Sequence, residues 1–303
     1  MTTSVDTTSA SARAGALYSV AAYSIWGLFP LYFKALAVSP LEFLLHRVLW
    51  SALLLSGLFT LRRGWARLAR AVGHRSVLVA SMASAALLSV NWFIYIWAVT
   101  TNRVLDASLG YFITPLVSVV LGVVVLGERL RPLQWLAVAT AAFGVLWLTL
   151  QLGELPWIGL SLAASFGAYG LMRKTAALGA FEGLLLETLL LLPLALVGLG
   201  LLVAGGASGF VHGAPWDRAL LVFAGPLTVT PLLLFAAGAR RIPLSLLGLL
   251  QYIAPSEQLL LGVLVWHEPF GGHKLLGYAF IWLALALYAL EGAWASHRRV
   301  RAA

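Results

Sequence analysis

Cysteine is absent from the 303 residues, which excludes disulfides, thiolate metal sites and cysteine nucleophiles. Charge is scarce as well. Only 10% of residues are Asp, Glu, Lys or Arg, where a soluble domain carries roughly a quarter, so a water-soluble fold is excluded. No HExxH helix and no Walker phosphate loop occurs, so a zinc peptidase and an ATP-driven pump built on this chain find no support. The six histidines are scattered among loops and helix ends, and no metal or cofactor is expected. What is present is apolar: 61% of residues are hydrophobic and the mean hydropathy is +0.93. A net charge of +9 would suit a nucleic-acid binder, but the basic residues lie between hydrophobic segments and no nucleic-acid partner is expected.

About 20 apolar residues cross a hydrocarbon core of roughly 30 Å. The sequence predicts an all-α membrane protein with ten transmembrane helices at 14–35, 41–61, 77–99, 105–126, 132–150, 155–172, 182–203, 218–238, 244–266 and 272–294. Their length and lack of alternating polarity exclude a barrel. Residues 1–13 are Ser/Thr/Ala-rich and read as a disordered cytoplasmic N-terminus; 295–303 read as a basic cytoplasmic tail. The run after Arg13, ending at Ala35-Leu36-Ala37, resembles a signal peptide, but its length, Trp26 and Lys34 favour an uncleaved first helix.

Basic residues cluster on one side: Arg13, then Arg62, Arg63, Arg67, Arg70 and Arg75, then Arg129 and Arg131, Arg173 and Lys174, Arg240 and Arg241, and Arg298, Arg299 and Arg301. Positive loops mark the cytoplasm, which predicts a multi-pass protein of the inner (plasma) membrane with both termini inside. The basic segment 62–76 is expected to lie at the headgroups, with Trp65 and Leu68 dipping in.

Pro115, Gly122 and Glu128 recur as Pro255, Gly262 and Glu268, each pair 140 residues apart. Ile113, Leu121, Val123 and Val125 keep that register with Ile253, Leu261, Val263 and Val265. Five spans are an odd number, so the second copy enters the membrane from the opposite side. The expected organisation is therefore two inverted five-helix repeats, 14–150 and 155–294, the construction of many secondary transporters.

The runs EFLLHRVLWS (42–51), NWFIYIWAV (91–99), ASLGYFITPL (107–116), LGERLRPLQWLAV (126–138), FGAYGLMRK (166–174), LLETLLLLP (185–193), QYIAP (251–255) and FIWLALALY (280–288) resemble those of RarD-type permeases. These form part of the EamA branch of the drug/metabolite transporter superfamily, and the resemblance spans about residues 15–294. It implies a ten-helix inner-membrane permease for small molecules and names no substrate. After QYIAP, where small apolar residues are expected, this chain has Ser256 and Glu257, so no role for Glu257 comes from the resemblance.

Ionisable groups within a bilayer need a partner or a wet cavity. Glu42 and His46 share a helix face, and Arg47 lies about 9 Å below the outer boundary at about 1.5 Å per residue. His46 and Arg47 are candidates for an anionic or dipolar substrate, snorkelling being the alternative. Shifted by 140, Arg47 becomes Glu187, which inversion puts near the cytoplasmic mouth; the two read as equivalent outer and inner positions, not as an ion pair. Glu187 could instead be tied to Arg173 or Lys174. Glu257, about 14 Å deep, is either a partner of Arg47 or a proton-coupling site, the alternative being a neutral structural group. Glu42, Arg47, Glu187 and Glu257 are thus the candidate gating or coupling residues.

Trp26, Asn91, Trp92, Tyr95, Tyr111, Tyr169, Gln251 and Tyr252 are the remaining candidates for a central substrate cavity. Aromatic walls with a few amides suit flat amphipathic molecules, though the same groups also serve as interhelical glue. The expected function is a secondary transporter of small metabolites or drug-like molecules by alternating access, with protons as a possible second partner. A lipid-head-group flippase is the alternative, and a membrane-embedded enzyme a weaker one. Lipid is the necessary partner, and the assembly is a monomer or homodimer.

Overall fold

The structure, a computed structural model, describes residues 3–101, 103–151, 156–267 and 272–301. Among these every regular element is helical. In chain order the helices are α1 (Thr3–Gly27), α2 (Phe29–Lys34), α3 (Pro40–Leu61), α4 (Trp65–Val72), α5 (Arg75–Thr100), α6 (Val104–Val124), α7 (Pro132–Leu150), α8 (Trp157–Thr175), α9 (Ala180–Ala204), α10 (Gly209–His212), α11 (Pro215–Ala239), α12 (Leu244–Leu250), α13 (Ile253–Leu264) and α14 (His273–Arg301).

Eight stretches are long and apolar enough to cross a membrane: Ala10–Lys34, Pro40–Leu61, Arg75–Ala98, Pro132–Leu150, Ala180–Ala204, Pro215–Ala239, Leu244–Leu264 and Leu275–Gly292. Of the ten predicted spans, the fourth appears as a shorter apolar stretch, Gly110–Val124. The sixth is α8, whose last turn carries Arg173 and Lys174 and lowers its apolar character. The described helices begin at Thr3 and end at Arg301, so helix occupies much of the expected disordered N-terminus and of the expected tail.

Local sequence explains the ends and breaks. Ser39 caps α3, its side chain accepting from the Glu42 amide at 3.2 Å, with Pro40 in the first turn. The first span breaks between α1 and α2, where Pro30 sits in the first turn of α2. The ninth breaks at Gln251–Tyr252. Pro255 has no N–H to return to the Gln251 carbonyl, and the turn tightens, with Gln251 and Tyr252 bonding back three residues to Gly248 and Leu249 at 3.0 and 3.2 Å. Its counterpart Pro115 lies inside an unbroken α6, so the two matched prolines do not produce matched breaks.

The turns that end these helices do match. The Val125 and Leu126 amides both return to the Leu121 carbonyl, as those of Val265 and Trp266 return to Leu261. The next residue is left-handed in both places, φ +65° at Gly127 and +53° at His267. Glycine takes that conformation freely, whereas histidine pays about 1–2 kcal/mol. Glu268, which would follow, lies outside the described residues.

The most extensive helix pairings all join an element before residue 151 to one after it. α6 packs on α8 and α12, α7 on α14, α3 on α9 and α11, α5 on α8 and α9, and α1 on α11 and α13. The largest core cluster gathers Tyr23, Leu55, Tyr169, Leu185, Phe235 and Leu244. Leu68 of α4 also packs into it, 5% exposed, so this residue is buried in protein and not in headgroups as the sequence reading had it. Trp65 stays partly exposed, its ring 5.2 Å from Phe59.

Candidate functional site

α3, α5, α9 and α11 surround a small central cavity of about 10 Å³, room for about one water. Its lining includes Arg47, Ser51 and Trp92 from the first half of the chain and Glu187, Thr188 and Thr228 from the second. The positions recur at the 140-residue offset: Arg47 with Glu187, Val48 with Thr188, Ser51 with Leu191, Leu88 with Thr228, and Trp92 with Leu232. The sequence put Arg47 and Glu187 at opposite mouths; in the structure both line one cavity, because their helices α3 and α9 pack together. They form no ion pair with each other among the described contacts.

Glu187 is spoken for. Its carboxylate accepts from Arg173 Nη1 at 3.1 Å, Ser84 Oγ at 2.6 Å and Tyr169 OH at 3.3 Å, and both Glu187 and Arg173 are buried. The tie to Arg173 was one of the two readings of this residue. Glu187 also forms part of the wall of a second, larger cavity of about 250 Å³ between α5 and α8, together with Ser76, Ser81 and Arg173. The Glu187–Arg173 pair therefore stands between this vestibule and the central cavity.

Arg47 is not spoken for. It is 8% exposed, and its guanidinium carbon lies 4.0 Å from the centre of the Trp92 ring, a cation–π contact. No carboxylate pairs with it among the described residues, and its buried Nε has no hydrogen-bond partner. The hydroxyl of Ser51, one turn further along α3 and also on the cavity, is likewise buried and unpartnered.

The neighbouring candidates serve other ends. Glu42 accepts from Ser208 Oγ at 3.0 Å and from the Gly209 and Phe210 amides at 2.8 and 2.9 Å, so it anchors the segment around α10. His46 stacks on Phe210 with ring centres 4.7 Å apart, its Nε2 3.8 Å from Glu42. Neither is among the cavity-lining residues.

Glu257 does not partner Arg47, which corrects one of its two readings. Its Oε1 accepts from Ser24 Oγ of α1 at 2.7 Å, and its buried Oε2 has no partner. A Cβ on Gly27 would run into this carboxylate. At the offset positions a Cβ on Gly167 would meet Val117, so Glu257 occupies the place that an apolar side chain holds in the first half.

Of the expected aromatic and amide lining, only Trp92 faces the central cavity. Trp26 and Tyr169 join Tyr23, Phe166 and Phe235 in a ring cluster, with Trp26 5.7 Å and Tyr169 6.0 Å from Phe235. Asn91 donates to the Leu162 carbonyl at 3.0 Å and Ser165 Oγ at 2.9 Å, holding α5 to α8. Tyr95 and Tyr111 face each other at 6.2 Å, with Tyr111 41% exposed. Gln251 is buried at the end of α12, and Tyr252 OH donates to the Phe112 carbonyl at 3.1 Å. None of these residues lines the cavity. Ser51, Thr188 and Thr228 were not singled out; the available signal was that Ser51 lies one turn from Arg47 and Thr188 next to Glu187, and Thr228 carried none.

Comparison with known proteins agrees with this architecture. Residues 13–150 match the EamA-like transporter family. An uncharacterized transporter of Pseudomonas aeruginosa is 48% identical over 294 residues, covering 96% of this chain and 98% of its own. The protein RarD of Escherichia coli K12 is 42% identical over 287 residues, covering 94% and 97%. One crystal structure shares the fold with a TM-score of 0.69 at 20% identity, covering 91% of this chain and 97% of its own. An all-helical molecule with eight membrane-length apolar stretches and near full-length likeness to such transporters is a multi-pass membrane transporter and not an enzyme: the chain belongs to the EamA-like transporter family, as a RarD-type permease.

Proposed function

We infer that this permease moves small metabolites or drug-like molecules by alternating access, through ten spans arranged as two inverted five-helix repeats. The observation that carries the reading is the central cavity, ten of whose twelve lining residues form five pairs at the 140-residue offset. A site on the pseudo-two-fold between oppositely oriented halves can be exposed to each side in turn. The helix pairings support it. α6 on α8 has its counterpart in α13 on α1, α3 on α11 in α9 on α5, and α1 on α11 in α8 on α5, while α3–α9, α6–α12 and α7–α14 pair each element with its own counterpart.

The orientation in this reading has both termini in the cytoplasm of the inner membrane, as the loop charges require. Reporter fusions at residues 68, 130, 174, 241 and 300 are expected to score cytoplasmic, and fusions at 38, 102, 153, 210 and 270 external. Two or more reversals would overturn the inverted arrangement.

Glu257 is the proton-coupling group of this reading. Its free oxygen, its single hydroxyl partner on α1 and the apolar residue at the matched position support the role. Flux in proteoliposomes, screened with metabolites and antibiotics, is expected to follow an imposed pH gradient in the parent. The Glu257→Gln variant should transport without that dependence. Unchanged gradient dependence at normal expression would make Glu257 structural.

A further inference from the structure

We propose that the transported molecule is an organic anion, its charged group held by the Arg47 guanidinium and the Ser51 hydroxyl in the central cavity. This rests on the permease reading above and adds the chemical class of its substrate.

The argument begins with charge. A buried cation in a membrane protein is costly unless it is paired, and each other buried cation or anion near this cavity has its partner. Glu187 is matched by Arg173 at 3.1 Å, and Glu42 by three donors on the α10 segment. Among the described contacts Arg47 has the faces of Trp92 at 4.0 Å and, more distantly, Phe43 at 6.0 Å, which attract the cation but accept no hydrogen bond in the plane of the guanidinium. The cavity therefore holds one unmatched positive charge.

The hydrogen bonds point the same way. Arg47 and Ser51 are one turn apart on α3, both line the cavity, and both bury a polar atom without a partner. A guanidinium can only donate, and a hydroxyl beside it can turn its proton toward the same point. Two unpartnered donors thus line one cavity, and an anionic oxygen placed between them would strengthen both bonds. Much of the rest of the wall is Leu88, Leu184, Leu191, Val229 and Leu232, which favours a carbon body over a hydrated inorganic ion. The cavity at about 10 Å³ must widen to admit such a molecule.

The test is thermal stabilisation of the detergent-solubilised full chain. The probes are small carboxylates, sulfonates and phosphate monoesters, each beside its uncharged amide or ester, with chloride and sulfate as inorganic controls. Stabilisation is expected from the organic anions and not from their neutral partners. Arg47→Gln should weaken it about 30-fold or more, with Arg47→Lys in between. Ser51→Ala removes a hydroxyl that bonds to nothing in the structure, so its fold is expected to match the parent while anion affinity falls about 10-fold. That variant keeps the test decisive if Arg47→Gln does not fold.

Equal stabilisation by neutral partners, an effect of chloride or sulfate alone, anion binding untouched by Ser51→Ala, or no stabilisation by any anion would each overturn the proposal. Flux of the binding anion into proteoliposomes separates the two readings. Binding at Arg47 without flux would overturn alternating-access transport through this cavity and leave an anion site that is not the transport site. Flux of neutral molecules independent of Arg47 would do the reverse.

Discussion

Glu187→Ala is expected to destabilise the folded protein by about 3–5 kcal/mol, because it leaves the guanidinium of Arg173 buried without a counter-charge. Arg173 is 2% exposed and keeps only the carbonyls of Ala180 at 2.9 Å and Gly179 at 3.4 Å. Those dipoles satisfy donors but do not neutralise the charge. Ser84 and Tyr169 would lose their acceptor in the same step. A double change, Arg173→Met with Glu187→Leu, removes both charges and should recover most of the loss. Unfolding in mixed detergent, followed by circular dichroism, measures both. A single variant as stable as the parent would mean that Arg173 swings out into the 250 Å³ vestibule and finds water there.

The second large effect is expected at Glu128. Its carboxylate accepts from the Leu244 and Ser245 amides at 2.6 and 3.0 Å and from Ser245 Oγ at 2.8 Å, while Lys174 Nζ lies 4.0 Å away. These amides open α12 and have no helical acceptor of their own. Glu128→Ala therefore uncaps α12 and cuts a tie between distant parts of the chain, at about 2–3 kcal/mol. Glu128→Gln keeps an acceptor and should lose about 1 kcal/mol. Thermal unfolding in detergent distinguishes these outcomes, and equal stability of Ala, Gln and parent would show that water caps α12 equally well.

The legible part of this molecule was its all-helical, membrane-spanning character, which apolar runs of span length announce. The constant offset of Pro115, Gly122 and Glu128 from their partners reappears in the matched turns after α6 and α13, which the sequence reading did not anticipate. The same offset held the cavity lining, but pairing was applied to charged residues and not to Ser51, Leu88 and Val48. Depth was the weaker inference. Counting residues from a span end placed Arg47 and Glu187 apart, yet packing of α3 on α9 brings them to one cavity. Side-chain direction was least legible. Trp26, Tyr169 and Tyr252 have the composition of a binding pocket, but a large ring beside a gap between helices fills it as core. Only long-range contacts, such as Tyr252 OH on the Phe112 carbonyl, decide between these fates.

The way the helices interleave also bears on how the chain is made. α1, α3, α5, α6 and α7 find their principal partners in helices α8 to α14, which do not yet exist when the first half leaves the ribosome. At about 5–20 residues per second, the remainder takes roughly 10–30 s to follow. During that interval Arg47 and the bare faces of α3 and α6 must wait among lipids or an insertase. A product truncated after α7 would keep them bare and should be cleared by membrane proteases, whereas two separately translated halves, supplied together, contain all that is needed to assemble.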